Sequence, residues 1–445
     1  MINLVKGTKD LFAQELEKHK TIIQAATKIA NLFNFQELQT PIIERAEVFL
    51  RTLGDCSDIV NKEIYTFLDK NNESIALRPE FTAAVMRYIL SIDQRILARQ
   101  KPFKLFSYGP LFRYDRPQAG RQRQFSQLNF EIFNANSVFY DAEIIQAAKT
   151  ILDNLNINNY NIVINSLGNS NSKKIYEEML FKYFKKYEND LSSDSIARLN
   201  KNPLRILDSK DLNDQKIAKN APKISQAWDS QDKKDFDILQ NYLNNININY
   251  IHDEKLVRGL DYYNGPIFEF ISSDIGAQSS ILGGGRYDSL YNKMGGKAHL
   301  SAVGFGAGIE RLAIILPNYN QKEKIKIAIL PISESEYLES FKIVNILRQN
   351  NIICEVLAYE AKISKKLELS SNIGASYVII IGENEIINKK YQLKKINQNI
   401  QDTTENAKAY SSIEAYNINK DTKHITANLD NQSIDQIINI ILAKY

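Results

Sequence analysis

Cysteine and histidine are scarce in this chain of 445 residues, and their scarcity excludes whole classes of site. The two cysteines, Cys56 and Cys354, cannot build a disulfide framework or a cysteine-rich zinc site. The four histidines are scattered and form no His-x-x-x-His pair: His19, His252, His299 and His424. We therefore expect no metal site built from protein ligands.

Long apolar runs are also missing, because none approaches the ~18 residues that span a bilayer. The first seven residues lack the apolar core of a signal peptide. Ten prolines and 18 glycines are too few for collagen-like or Pro/Gly-rich disordered chains. We expect a cytoplasmic protein with no membrane partner, and its length predicts two or three domains.

The net charge of +4 is too small to indicate a nucleic-acid partner by itself, but its distribution is uneven. Between Arg95 and Arg123 there are eight basic residues and one acidic residue, Asp115. Such a segment favours nucleotide phosphates or a nucleic-acid backbone as its partner. The alternative is a basic surface that only contacts solvent. The interleaved aromatic residues Phe106 and Phe112 argue against it, because a solvated surface has no need of them.

Hydrophobic periodicity predicts the main elements. Residues 103–108 and 124–133 alternate like strands around a polar turn, which predicts an antiparallel pair with a long basic loop. A helix is predicted over 44–53. Residues 168–250 are predicted to be mainly helical and to form an insertion outside the sheet. Strands alternate with helices over 325–381, which predicts a small domain on a mostly parallel sheet.

Glycine-rich stretches occur at 283–286 and 304–308, within strand-like segments at 281–287 and 302–308. Neither stretch fits the dinucleotide-binding or P-loop pattern. Each alone is more typical of a tight turn or of close strand packing. A nucleotide would therefore bind through some other arrangement.

Several arginines are predicted at strand ends or beside glycine turns: Arg113, Arg121, Arg123, Arg258 and Arg311. Burying an unpaired arginine is costly, so the set favours an anion at its centre. Acidic and amide residues are predicted at comparable strand ends: Glu80, Gln127, Glu131 and Asp261. A small zwitterion beside a polyphosphate would use both sets.

The same residues resemble a known family. Residues 113–125 (RYDRPQAGRQRQF) are similar to the second signature motif of class II aminoacyl-tRNA synthetases, residues 306–312 (GAGIERL) to the third, and Thr40-Pro41 with the helix after it to the first. Residues 256–263 (LVRGLDYY) and 282–288 (LGGGRYD) resemble the two signatures of histidyl-tRNA synthetases. Three shorter segments agree: 7–10, 77–80 and 203–210.

The resemblance implies an α+β fold. A discontinuous catalytic domain (1–167 and 251–322) would be built on an antiparallel sheet and interrupted by a helical insertion (168–250). An α/β anticodon-binding domain (323–445) would follow. The resemblance also implies a homodimer with the first motif at its interface.

The implied reaction is ATP-dependent ligation of L-histidine to histidine tRNA through histidyl-adenylate, releasing AMP and pyrophosphate. Mg²⁺ would bridge phosphate oxygens and be held largely by water and phosphate. The alternative is a non-catalytic, histidine-sensing regulatory paralogue, a class that typically loses signature residues.

Two arginines are implied as catalytic. Arg113 and Arg258 would hold the α-phosphate and the substrate carboxylate, for which the planar, permanently charged guanidinium is suited. A surface ion pair of Arg258 with Asp261 or Glu254 is the structural alternative.

The remaining roles also follow from the resemblance. Adenine would stack between Phe125 and Arg311, unless Phe125 is plain core, and Arg121 or Arg123 would reach the outer phosphates. The histidine ammonium would meet Glu80, Thr82 and Gln127, and the imidazole would meet Glu131 and Tyr263, with Tyr262 beside them. The tRNA acceptor end would meet Arg116 and Gln118, for which a solvated loop tip is the alternative. Two positions depart from the family pattern: Phe81 for Gly, and Asp115 for Glu.

Overall fold

The computed structural model describes residues 2–53, 63–99, 102–118, 120–276, 280–317, 325–358, 361–396 and 432–443. The chain divides into two compact units, residues 1–319 and 320–445. Cys56, His424 and most of the polar stretch at 317–322 lie outside the described residues.

The strands of the first unit are, in chain order, β1 (Gln36–Glu37), β2 (Ile43–Arg45), β3 (Thr66–Leu68), β4 (Ser74–Leu77), β5 (Phe103–Phe112), β6 (Gln124–Phe133), β7 (Asn161–Ser166), β8 (Ile251–His252), β9 (Pro266–Ile271), β10 (Ser280–Arg286) and β11 (Ala302–Gly308). Its α-helices are α1 (Ala13–Leu32), α2 (Ala46–Leu53), α3 (Thr82–Ser91), α4 (Gln94–Arg99), α5 (Phe139–Asn154), α6 (Ser170–Lys185), α7 (Ser193–Leu199), α8 (Leu212–Ala218), α9 (Ser230–Asn245), α10 (Leu290–Lys293) and α11 (Ile309–Ile315).

An eight-stranded sheet in the order β1-β5-β6-β11-β10-β9-β7-β8 forms the centre of this unit. The strands from β5 to β7 pair antiparallel along this order, and only the short edge strands β1 and β8 pair parallel. The predicted antiparallel pair of 103–108 with 124–133 is confirmed, as is the α+β class with its antiparallel catalytic sheet.

The two faces of β6 carry different chemistry. Leu128, Phe130 and Ile132 belong to the core that includes residues of helices α1, α5 and α11. Asn129 and Glu131 alternate with them and are also buried, at 2% and 1% exposure. Because successive side chains of a strand point to opposite faces, β6 presents buried polar groups to the face away from those helices.

Two predicted element boundaries are wrong. Helix α2 begins at Ala46 rather than at residue 44, because Ile43–Arg45 forms strand β2, which pairs antiparallel with β4. The strand-like pattern of residues 262–271 predicts a strand from Tyr262, but β9 begins at Pro266, so Tyr262 and Tyr263 lie before the strand.

The polar composition of 168–250 follows from its many short helices. The helices α6, α7, α8 and α9 each begin after an N-cap whose side chain accepts backbone N–H bonds: Asn169, Ser192, Asp211 and Asp229. The carboxylate of Asp214 also accepts three serine hydroxyls, each at 2.6 Å: Ser192, Ser195 and Ser209. Many of the segment's polar residues therefore start or join helices.

The second unit has a four-stranded sheet in the order β13-β12-β14-β15, in which the first three strands are parallel and the last is antiparallel. Its elements are β12 (Lys326–Pro331), α12 (Tyr337–Gln349), β13 (Ile353–Val356), α13 (Ile363–Asn372), β14 (Tyr377–Ile381), α14 (Glu383–Asn388), β15 (Gln392–Lys395) and α15 (Ile434–Leu442). The predicted alternation of strands and helices is confirmed. Among the residues that the structure describes in both units, no helix has the length and hydropathy needed to cross a membrane.

Candidate active site

The glycine-rich strands β10 and β11 lie side by side, with Gly283 opposite Gly306 and Gly285 opposite Gly304. A Cβ at Gly284 would overlap the backbone of β11, so close strand packing accounts for that position. The prediction that these glycines allow close strand packing is therefore confirmed at Gly284.

Other glycines in the same strands make room for charged and polar side chains. A Cβ at Gly283 would overlap the guanidinium of Arg258, and one at Gly304 would overlap the carboxylate of Glu131. The surface of β10 and β11 around Gly283 and Gly304, here called the glycine floor, thus lets side chains from distant segments lie directly against the sheet.

A cavity of about 330 Å³ opens above the glycine floor. Ten of the predicted site residues line it: Glu80, Thr82, Arg113, Arg121, Phe125, Gln127, Arg258, Tyr262, Tyr263 and Arg311. Four do not: Arg116, Gln118, Arg123 and Glu131. Arginines from three distant segments therefore converge on one hollow of the size of small-molecule sites.

Arg113 lies at the end of the β5 segment, where its Nε donates to the carbonyl of Pro79 at 2.9 Å. Its guanidinium carbon is 5.2 Å from the ring centroid of Phe125. Burial lowers the pKa of Arg113, and the carboxylates of Glu63 and Glu80 oppose that shift.

Arg258 donates from Nη1 to Oε1 of Glu269 at 3.0 Å, and its guanidinium carbon is 5.8 Å from the ring of Tyr263. Burial acts to lower the pKa of Arg258, but Glu269 and the neighbouring tyrosines outweigh it, so the net shift is upward and the group stays charged. Its buried Nε has no acceptor within the described part of the chain. Because buried donors usually have a partner, this N–H is a candidate contact for a ligand.

The alternative pairing of Arg258 with Asp261 or Glu254 is wrong. Glu254 pairs with Lys223 at 3.3 Å, and the carboxylate of Asp261 accepts from Asn202 at 2.6 Å. Both carboxylates are engaged by residues of the 168–250 segment.

Arg311 and Phe125 line the cavity from different elements, α11 and β6. Arg311 donates from Nη1 to the carbonyl of Ser280 at 2.6 Å and from Nε to that of Gly120 at 3.4 Å. Phe125 is partly buried and packs against the hydrophobic core while it lines the cavity. Phe125 therefore both packs against the core and borders the cavity.

Glu80 sits at the start of α3, where its two oxygens accept the backbone N–H groups of Thr82 and Ala83, each at 2.7 Å. Burial raises the pKa of Glu80 in spite of these bonds. The residue therefore caps the helix and also presents a carboxyl group to the cavity.

Glu131 lies behind this wall and is fully buried. Its Oε1 accepts from Thr82 Oγ1 at 2.6 Å and from Asn129 Nδ2 at 2.9 Å, and its Oε2 accepts from the hydroxyl of Tyr287. Burial is the main cause that raises the pKa of Glu131 to about 7. This carboxyl group is poised to change charge near neutral pH.

The basic loop separates its arginines. Arg121 pairs with Asp115 at 2.9 Å and lines the cavity, whereas Arg123 packs its guanidinium 3.7 Å from the ring centroid of Tyr114. The predicted tRNA residues Arg116 and Gln118 are exposed at the tip of the loop. Asp115, one of the two departures from the family pattern, thus orients an arginine of the cavity.

The second departure, Phe81, is buried beneath a neighbouring arginine. Its ring centroid lies 4.4 Å from the guanidinium carbon of Arg78. Arg78 donates from Nη1 to the carbonyl of Thr40 at 2.7 Å and from Nε to that of Pro110 at 3.0 Å. The aromatic ring at position 81 therefore supports the link between the first motif and β5.

Comparison with known proteins identifies the family. A sequence model described as histidyl-tRNA synthetase matches residues 7–312, and one described as an anticodon binding domain matches residues 326–415. The chain belongs to the histidyl-tRNA synthetase family. The resemblance noted in the sequence is confirmed.

Individual relatives cover nearly the whole chain. The histidine–tRNA ligase of Orientia tsutsugamushi (strain Boryong) is 47% identical over 88% of this chain and 93% of its own length. That of Wolbachia pipientis subsp. Culex pipiens (strain wPip) is 45% identical over 88% and 95%. The crystal structure of apo S. aureus histidyl-tRNA synthetase superposes with a TM-score of 0.74 at 30% identity, covering 89% of this chain and 95% of that one.

Sequence reasoning missed several groups at this histidyl-tRNA synthetase site. Arg205 and Asp208 line the cavity from the 203–210 segment, in which the sequence indicates only a family resemblance and no site residue. Glu310 also lines it, and burial raises its pKa to about 7. Tyr287 binds Glu131 from 156 positions away, and only its place in a signature motif could have indicated a role.

Proposed function

We propose that this protein ligates L-histidine to histidine tRNA in two steps, forming histidyl-adenylate and pyrophosphate from ATP and then transferring the histidyl group. The observation that supports it most is the convergence of Arg113, Arg258 and Arg311 on one hollow. The family membership given above supports the same activity.

In the first step, a carboxylate oxygen of histidine attacks the α-phosphorus of ATP and displaces pyrophosphate. The α-carboxyl group has an ordinary pKa of about 3.5, so it is ionised at neutral pH and needs no general base. Arg113 and Arg258 neutralise the charge that gathers on the α-phosphate and orient the carboxylate. The spare Nε of Arg258 provides a donor for this purpose.

The histidine side of the cavity recognises a zwitterion and an imidazole. Glu80, Thr82 and Gln127 accept the ammonium, while Tyr262 and Tyr263 border the ring. Glu131 does not line the cavity, so it supports the histidine side through Thr82, which lines the cavity and donates to its Oε1.

ATP occupies the opposite side. Its adenine stacks between Phe125 and Arg311, and of the two loop arginines Arg121 is the better candidate for the outer phosphates, because it lines the cavity. Within the described residues no three potential ligands cluster to hold a metal. Mg²⁺ would therefore accompany the triphosphate and neutralise phosphate charge, and Glu310 is a carboxyl group of the cavity that would help to hold it.

The tRNA is the largest partner proposed. Arg116 and Gln118 meet its acceptor end, since they are exposed on the loop that also carries Arg121. The domain scheme is a catalytic domain (1–167 and 251–322), an insertion (168–250) and an anticodon-binding domain (323–445). We place the protein in the cytoplasm.

A homodimer accounts for an exposed apolar surface on the first motif. Large apolar side chains on or beside β2, β3 and α2 are 41–63% exposed: Ile42, Ile43, Leu50, Phe67 and Leu68. A second copy of the chain would cover them. Light scattering of the wild type and of Phe67→Lys measures this, and an unchanged monomeric mass for both would contradict it.

The activity is tested by ATP–pyrophosphate exchange. We expect exchange with L-histidine and none with threonine, proline or glycine. Folded protein that gives no exchange with histidine would favour the non-catalytic sensor, although that class typically loses signature arginines and this chain keeps Arg113, Arg258 and Arg311.

A further inference from the structure

The histidine signature 256–263, here called the histidine loop, is held from behind by the 168–250 segment. We propose that Lys173 and Asn202 of that segment are positioning residues for histidine activation, which they support by fixing the backbone of the histidine loop. The inference rests on the proposed function and extends the site to residues that do not line the cavity.

Lys173 binds the loop through two main-chain carbonyls. Its Nζ, one turn into α6, donates to the carbonyl of Asp261 at 3.0 Å and to that of Tyr263 at 2.9 Å. One ammonium group thereby fixes two peptide planes, one before Tyr262 and one after Tyr263. The side chains of Tyr262 and Tyr263 line the cavity, so the lysine restrains their backbone without touching substrate.

Asn202 makes an independent contact with the same loop. Its Nδ2 donates to Oδ1 of Asp261 at 2.6 Å, immediately before the 3-10 helix Pro203–Ile206. The next contact along is Arg205, whose Nη1 would lie 2.8 Å from a Cβ at Gly259. Two separate elements of the insertion therefore meet the loop between Arg258 and Tyr263.

The position of Lys173 is difficult to explain by stability alone. A cation in the first turns of a helix opposes the helix dipole. Removing an ammonium from water is costly unless its donors are satisfied. An apolar residue would pack there without either cost, but it could not hold the carbonyls of Asp261 and Tyr263.

The loop carries the groups that meet histidine and its carboxylate, whereas Phe125 and Arg311, proposed for adenine, lie on other elements. Loosening the loop should therefore affect histidine more than ATP. A displacement of about 1 Å in a catalytic constellation can cost about 100-fold in rate. This asymmetry distinguishes positioning from a general loss of stability.

The test compares Lys173→Met with Lys104→Met in the full-length protein. Lys104 is also a largely buried lysine, which donates to the carbonyl of Phe33 at 3.1 Å and pairs with Glu143 at 2.7 Å, and none of its bonds involves the histidine loop. In histidine-dependent exchange we expect Lys173→Met to raise the KM for histidine about 10-fold and to lower kcat, with the KM for ATP within about 2-fold. Lys104→Met should leave all three near wild type.

Two further measurements complete the test. Asn202→Ala should show the same selective loss in smaller degree, and it carries the test if Lys173→Met does not fold. Calorimetric binding of L-histidine without ATP should weaken in Lys173→Met and recover partly in Lys173→Arg. This binding readout separates the inference from the proposed function, because it does not require wild-type exchange.

The proposal is overturned if histidine binding by Lys173→Met and Asn202→Ala equals that of Lys104→Met. It is also overturned if the KM values for histidine and ATP rise together in step with a loss of thermal stability. A wild type that binds histidine without exchange would refute the proposed activity alone.

Discussion

The guanidinium of Arg258 occupies the space that a side chain at Gly283 would fill. The same guanidinium is tethered by Glu269, which lies on β9 directly opposite Gly283 of β10. A glycine and a carboxylate on neighbouring strands thus define where the arginine can lie. Arg258 lines the cavity, and its buried Nε has no acceptor within the described part of the chain.

Gly283→Ala should displace Arg258 and slow adenylate formation by about 100-fold, the typical effect of moving a catalytic group. The histidine-dependent exchange rate measures it, with circular dichroism to check the fold. Exchange within about 3-fold of wild type would show that the arginine does not need this space.

Arg258→Ala should reduce adenylate formation by about 100- to 1,000-fold, because it removes a donor to the α-phosphate in the transition state. Arg258→Lys should restore little, since an ammonium lacks the planar fork. Single-turnover formation of histidyl-adenylate is the suitable assay. A loss of only a few-fold in both variants would remove the catalytic role.

Glu131→Gln should flatten the dependence of stability on pH. The pKa of Glu131 is about 7 in the folded protein and 4.5 when exposed, mainly because of burial. Between those values Glu131 binds more protons in the folded state than in the unfolded state, so its own contribution to stability falls as pH rises from about 4.5 to 7.

Thermal unfolding of both proteins from pH 5 to pH 8 measures this effect. The amide cannot titrate, so the difference between wild type and Glu131→Gln should change across this range and level off above pH 7. Parallel curves would indicate that Glu131 does not titrate there.

Arg121→Ala and Arg123→Ala form a matched pair within one loop. Arg121 lines the cavity, whereas Arg123 packs on Tyr114. We expect Arg121→Ala to raise the KM for ATP about 10-fold, as for a charge-assisted phosphate contact, and Arg123→Ala to raise it much less. Steady-state exchange at varied ATP distinguishes them, and the reverse order would reassign the phosphate contact.

Local pattern was sufficient for the parts of the fold that depend on neighbouring residues. Alternation over 124–133 predicted β6, and the long basic loop after β5 followed from the polar residues between two strand-like runs. The start of α2 could not be predicted, because Glu44 pairs with Ala76 of β4, 32 positions away. Strand pairing of this kind overrides local helix propensity.

In the site, too, local sequence predicted some features, whereas others depend on long-range strand pairing. The family motifs indicated which arginines belong to the site, but the sequence suggested nearby Asp261 or Glu254 as the partner of Arg258. The real partner, Glu269, requires the register of β9 against β10. The bond between Tyr287 and Glu131 likewise depends on the order of strands in the sheet.

Arginines from distant segments should bind one histidyl-adenylate, and a structure with a non-hydrolysable sulfamoyl analogue of that intermediate tests this most directly. We expect the sulfamoyl group between Arg113 and Arg258, with the adenine between Phe125 and Arg311. An analogue bound elsewhere, or bound here without contact to Arg258, would contradict the account.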